Sequence, residues 1–186
     1  LSVKESELSI ERRLEASEVS ILAAQNNLAN SYYTLKRFEE AVCLRQAVYS
    51  GHLKLNGEQH RHTLGAANNY AGSLLDLQRF KEAKRLVRKM MPIARRVLGE
   101  NNEITLRLRW SYAQSLYEDP GATVDDLKEA VTTLEDAGYI ALHVFGDTHP
   151  LAVAFANVWH RARDTLAACE GGDVSSVCDG VAAMTP

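Results

Sequence analysis

The chain has 186 residues, 46% hydrophobic and 24% charged, with four prolines and a formal net charge of −3. That length suits one continuous core and that composition a globular protein; the mild acidity argues against a general nucleic-acid binder, which carries a basic excess. No apolar run approaches the roughly 18 residues that span a bilayer, and three scattered cysteines, Cys43, Cys169 and Cys178, make no disulfide framework.

The first residues, Leu1-Ser2-Val3-Lys4-Glu5, offer neither an initiator Met nor the apolar centre of a signal peptide. The chain therefore reads as an internal or trimmed piece. The cysteine usage favours a reducing, cytoplasmic compartment, with an organelle open if a targeting segment was removed. Residues 1–19 are expected to hold one helix, over 3–14, as the second half of a truncated unit.

Residues 18–35 and 38–55 form the first complete pair. Leu22, Leu28, Ala29, Tyr32 and Leu35 fall on one face at helical spacing, and Phe38, Ala41, Val42, Leu44 and Val48 do the same in the second segment. The pair then repeats. Asn26-Asn27-Leu28-Ala29 returns as Asn68-Asn69-Tyr70-Ala71, an offset of 42 (71 − 29), and Arg37-Phe38-Glu39-Glu40-Ala41 returns as Arg79-Phe80-Lys81-Glu82-Ala83 at the same offset. Asn56-Gly57-Glu58 matches Leu98-Gly99-Glu100. The next helices are expected at 60–77 and 80–97, with Pro92 predicting a kink near Met91.

A third copy, with Tyr112-Ala113 and Leu116, spans 102–117 and 124–144, its period stretched to 47 (146 − 99) by residues around Pro120-Gly121. Pro-Gly marks a lengthened loop, and Thr123-Val124-Asp125-Asp126 fits a capping box that restarts the helix. Asp147-Thr148-His149-Pro150 opens a last helix over 149–168, with Pro in its first turn. Small residues recur where helices must approach closely: Ala29, Ala71 and Ala113 in the first helices, Ala41, Ala83 and Ala130 in the second. Residues 169–186, with Gly171-Gly172-Asp173, are expected to be a flexible tail.

Leu28-Ala29-x-x-Tyr32 followed by Phe38 and Ala41 resembles the tetratricopeptide signature of leucine, small residue, aromatic and second small residue. The common repeat is about 34 residues long. The 42-residue version here, with its Asn-Asn-Leu-Ala start and its Leu98-Gly99-Glu100 and Phe145-Gly146-Asp147-Thr148-His149-Pro150 linkers, is similar to the repeats of kinesin light chains. The resemblance covers roughly 20–168 and implies an all-α, right-handed superhelix of tandem hairpins whose first helices line a concave face. No coiled-coil heptads accompany it.

The resemblance implies a non-catalytic scaffold or adaptor that captures a partner peptide in that groove. The non-core positions of the first helices then hold the candidate peptide-binding residues. These are Asn26, Asn27 and Asn30; Asn68 and Asn69; Arg107, Trp110 and Gln114; Asn157 and Arg161. Asparagine is a mediocre helix former, so a surface set of them needs a reason. Its amide both donates and accepts, which suits an extended peptide backbone, and the family uses asparagines at this site in that way. Arg107 and Arg161 can take a carboxylate bidentately, which points to an acidic segment, although Asp76, Glu118 and Asp164 on the same side weaken that preference. Asn27 and Asn69 can equally bond neighbouring helices, and Trp110 can be an aromatic anchor or core.

The alternative is a structural subunit that contacts neighbours through its end helices. The stretch 81–96 holds Lys81, Lys84, Arg85, Arg88, Lys89, Arg95 and Arg96, either a surface for an acidic partner or a solvated face balanced by neighbours. Enzyme chemistry finds no support. His60-x-His62 lacks a Cys or carboxylate at metal-ligand spacing, no paired CxxC or phosphate-cradling glycine motif occurs, and no nucleophile pairs with a base. No catalytic residue, metal or cofactor is expected.

Overall fold

A computed structural model describes residues 1–13 and 17–171. Among these, eight helices and no strand occur: α1 (Ser2–Arg13), α2 (Glu18–Thr34), α3 (Phe38–Asn56), α4 (Arg61–Asp76), α5 (Phe80–Leu98), α6 (Glu103–Tyr117), α7 (Val124–Phe145) and α8 (Pro150–Glu170). They fall into two compact units divided after Arg79. In the first, α1 packs on α2, α2 on α3 and α3 on α4; in the second, α5 packs on α6, α6 on α7, and α8 lies against α7 and touches α6.

The helix ends follow local chemistry. His60, Asn102 and His149 each stand just before a helix and accept a hydrogen bond from the amide two residues on, at 3.2, 3.0 and 3.2 Å. An acceptor there satisfies one of the orphan N–H groups of the first turn. The three helices therefore begin one residue later than the apolar period suggests. Thr123 and Asp126 form the expected capping box at α7. Gly57, Gly99 and Gly146 close α3, α5 and α7 at φ 80°, 88° and 89°, a region that glycine enters without steric cost.

The turns inside the first two pairs end differently. Lys36 and Gln78, which are 42 residues apart, both take left-handed φ, 58° and 56°. In each, the next amide reaches back five residues, Arg37 to Tyr32 at 2.9 Å and Arg79 to Leu74 at 2.8 Å. That is a Schellman closure built without glycine.

The alanines carry the packing. Ala29, Ala41, Ala71, Ala83, Ala113 and Ala130 are all fully buried, so the facing backbones approach as closely as a methyl allows. Gly51 of α3 goes further: a Cβ there would collide with the Leu22 side chain of α2. α5 runs unbroken through Pro92.

Two expectations need correction. Leu35 is not a core residue; it caps α2 after its last turn and is 55% exposed. Cys169 does not lie in a tail, because α8 continues to Glu170, whose carboxylate pairs with Lys128 at 3.0 Å. Residues 172–186 and Leu14 lie outside the described residues.

Candidate functional site

In the first unit, α2 presents Asn27 and Asn30 exposed and Asn26 half-buried, while Asn68 and Asn69 of α4 are half-buried. The residue that ties these helices together is Arg45 of α3, only 9% exposed. Its Nη1 donates to the Asn69 carbonyl at 3.1 Å and to Ser73 Oγ at 2.7 Å, and its Nη2 reaches Asn30 Oδ1 at 3.5 Å. The guanidinium also lies over the Tyr33 ring, 4.7 Å from its centroid. Burial lowers the Arg45 pKa, while the nearby Tyr33 and Asp76 charges act in the opposite direction. Burial also raises the Tyr33 pKa, with the Asp76 charge next in size.

Asn30 is thus held from below, and Asn69 is tied to α3 through its backbone. Asn27 takes part only through its carbonyl, which accepts from Ser31 Oγ at 3.1 Å. Asn68 differs: its Oδ1 is buried with no hydrogen-bond partner among the described residues. Such an acceptor is costly to leave unmade.

In the second unit, two sequence candidates, Trp110 and Gln114, meet Tyr117 and Glu118 in one network. Trp110 Nε1 donates to Gln114 Oε1 at 3.2 Å, Gln114 Nε2 donates to Glu118 Oε2 at 2.9 Å, and Tyr117 OH donates to Glu118 Oε1 at 2.9 Å. The Trp110 ring packs edge-on against Phe155 of α8, centroids 5.1 Å apart. Burial and then the Glu118 charge push the Tyr117 hydroxyl well above its ordinary pKa, with Arg161 pulling the other way. Trp110 is therefore half core and half face, and both ends of the Gln114 amide are engaged.

Arg107 is exposed, and two of its N–H groups already meet Glu103 Oε1 one turn back, at 2.9 and 2.8 Å. Asn157 and Arg161 lie exposed on α8. Arg109, which the sequence reading passed over, is buried between Glu100 at 3.9 Å and Asp136 at 3.6 Å. Arg45 and Arg109 had one available signal: each is a charge at a register where the other repeats carry an apolar or neutral residue. Val87 and Leu134 stand at the place of Arg45, and Gln25 and Ala67 at that of Arg109.

Three of the six histidines cluster near the α3–α4 turn, with His52 and His60 rings 5.5 and 4.9 Å from that of His62. Among the described residues no group of three or more His, Cys, Asp or Glu side chains is arranged to hold a metal ion. None of the described helices is long and apolar enough to cross a membrane.

The tetratricopeptide repeat family model matches residues 21–62 and 63–103. No curated protein matches the sequence. Among solved structures, the chain is similar to the nearly identical TPR-like repeats of a kinesin-light-chain-type protein from Podosopora anserina, at 23% identity and TM-score 0.73, covering 98% of this chain and 83% of that one. BtubC (BKLC) from P. vanneervenii is similar over 100% of this chain and 74% of its own, at 13% identity and TM-score 0.69. At these identities the likeness is one of fold. Residues 21–103 match the tetratricopeptide repeat model as two consecutive copies, and the chain shares the all-α fold of these TPR-like repeat structures.

Proposed function

We propose that this chain is a non-catalytic adaptor that holds an extended peptide of a partner protein on the faces of its first helices. The observation that carries the reading is unspent amide capacity at one register of successive first helices. Asn26 and Asn157 bond no other described side chain, and the buried Oδ1 of Asn68 has no partner among the described residues. An amide that neither caps a helix nor bridges two helices is suited to a passing peptide backbone. In the first unit the face is hydrogen-bonding through its amides and carries Asp76, with Arg45 supporting it from beneath. In the second it is mixed in charge, with Arg161 beside Glu118 and Asp164. That combination favours a peptide of mixed charge over a uniformly acidic one.

The test is a peptide array probed with the whole chain, followed by calorimetry of the best binder. The proposal expects saturable binding that Asn26→Ala and Asn68→Ala weaken without loss of helix content. Peptide binding insensitive to every first-helix substitution would overturn it. The reading as a structural subunit draws on α1, where Val3 and Ile10 are 75% and 54% exposed on one face. Sedimentation analysis distinguishes it: self-association abolished by Val3→Asp with Ile10→Asp would favour end-helix assembly.

A further inference from the structure

We propose that the outward face of α5 is a docking surface for an acidic segment of a partner protein, separate from the first-helix faces. At 100° per residue, one arc of about 140° on this helix holds only Lys81, Lys84, Arg85, Arg88, Lys89, Pro92, Arg95 and Arg96. Pro92 is the one residue in the arc without a charge, and no acidic or neutral polar side chain interrupts it. The opposite side is core, with Ala83, Val87, Met90 and Ala94 fully buried. The stripe runs about 22 Å from Lys81 to Arg96 at 1.5 Å per residue.

The fold does not demand these cations. α3 and α7 occupy the same place in their hairpins, and the matching registers hold mostly other residues. In α3 they include Glu39, Cys43, Gln46, Ser50 and Lys54; in α7 they include Lys128, Thr132, Glu135, Asp136 and Tyr139. Each of those helices has one cation where α5 has seven. Carboxylates of the chain meet the stripe along the edge where Lys84 pairs with Asp126 at 2.7 Å and Arg95 with Glu100. Among the described residues, Lys81, Arg85 and Arg96 form no ion pair, and all three are exposed.

The chemistry selects the occupant. An interfacial membrane helix must turn its apolar face toward lipid, and that face of α5 is the protein core. Single-stranded nucleic acid is held by stacking aromatics, and the stripe has none. A continuous stripe of guanidinium and ammonium groups instead matches carboxylates along one helix or one extended strand. Arginines take these bidentately.

The experiment uses the full chain and a fluorescein-labelled oligoglutamate peptide, read by anisotropy at about 0.1 M salt. Arg85→Glu with Arg88→Glu and Arg96→Glu should weaken binding at least about tenfold, whereas Lys4→Glu with Lys54→Glu and Arg61→Glu, the same change in net charge elsewhere, should weaken it less than about threefold. All six side chains are exposed, so circular dichroism should report unchanged helix content. Equal loss in the two triple variants would overturn the proposal, because only net charge would then be sensed. Loss with Arg107→Ala and Arg161→Ala but not with the α5 variant would move the acid site to the first-helix faces. Tighter binding of phosphatidylserine vesicles or oligouridylate than of the peptide at the same salt would replace the protein partner with lipid or RNA.

Discussion

Asp126 has two roles at the start of α7. Its carboxylate accepts from the Thr123 amide and hydroxyl, at 3.1 and 2.7 Å, and takes the Lys84 ammonium at 2.7 Å. The Lys84 hydrogen bond first, then Thr123, lowers its pKa from 3.8 to about 2. Because the folded value lies below the unfolded one, the stabilisation is complete above about pH 4 and is lost as pH falls toward 2. Chemical denaturation at pH 7 and pH 2.5 should show about 1–2 kcal/mol of this loss, partly screened at a half-exposed pair, and Asp126→Asn should remove that part of the acid limb. Lys36 and Gln78 make a second residue-level case. Both carry a Cβ in the left-handed region at a Schellman turn, where glycine is the usual residue. Lys36→Gly and Gln78→Gly should each raise stability by up to about 1 kcal/mol, read as a shift in urea midpoint at constant slope. A fall in midpoint in both would show that the side chains contribute more than the strain costs.

At the scale of elements, the small residues set the helix spacing. Ala71 is fully buried in α4, and Leu in its place should overpack the first unit by about 1–3 kcal/mol. Unchanged thermal stability in Ala71→Leu would mean that the helices do not meet there. The helices themselves were legible because several landmarks shared one offset, so each boundary was read more than once. What escaped has physical reasons. Histidine as a cap is indistinguishable in a sequence from histidine as a first helical residue, so His60 and His149 were placed inside their helices. Leu35 fits the apolar period, but the chain has already left the helix at Thr34. Arg45 was missed because its value lies in contacts with α4 residues 24 and 28 positions on, Asn69 and Ser73, which no local pattern encodes.

Over the whole molecule, the repeat period puts the candidate residues at matching registers but does not foresee the state of each side chain. The period places Asn26, Asn68, Trp110 and Asn157 at one register, but their environments differ because their neighbours do. Trp110 meets Phe155, a contact 45 positions away (155 − 110). The Arg107–Glu103 pair, one helical turn apart, was open to a spacing argument. That pair sharpens the functional test. Arg107 is exposed, and its ion pair contributes at most about 0.5 kcal/mol to folding, so Arg107→Ala should leave the fold intact. If the guanidinium exchanges Glu103 for a ligand carboxylate, the same change should weaken peptide binding by about 1.5–3 kcal/mol. Asn68→Ala removes one backbone contact and should cost on the order of 1 kcal/mol, roughly fivefold in affinity. Calorimetry of both variants against the best array peptide separates the outcomes. Loss in Asn68→Ala alone assigns the peptide to the first unit's face. Loss in Arg107→Ala alone assigns it to the charged face of the second. If both bind like the parent chain, neither face is the working surface, and assembly through the end helices becomes the better account.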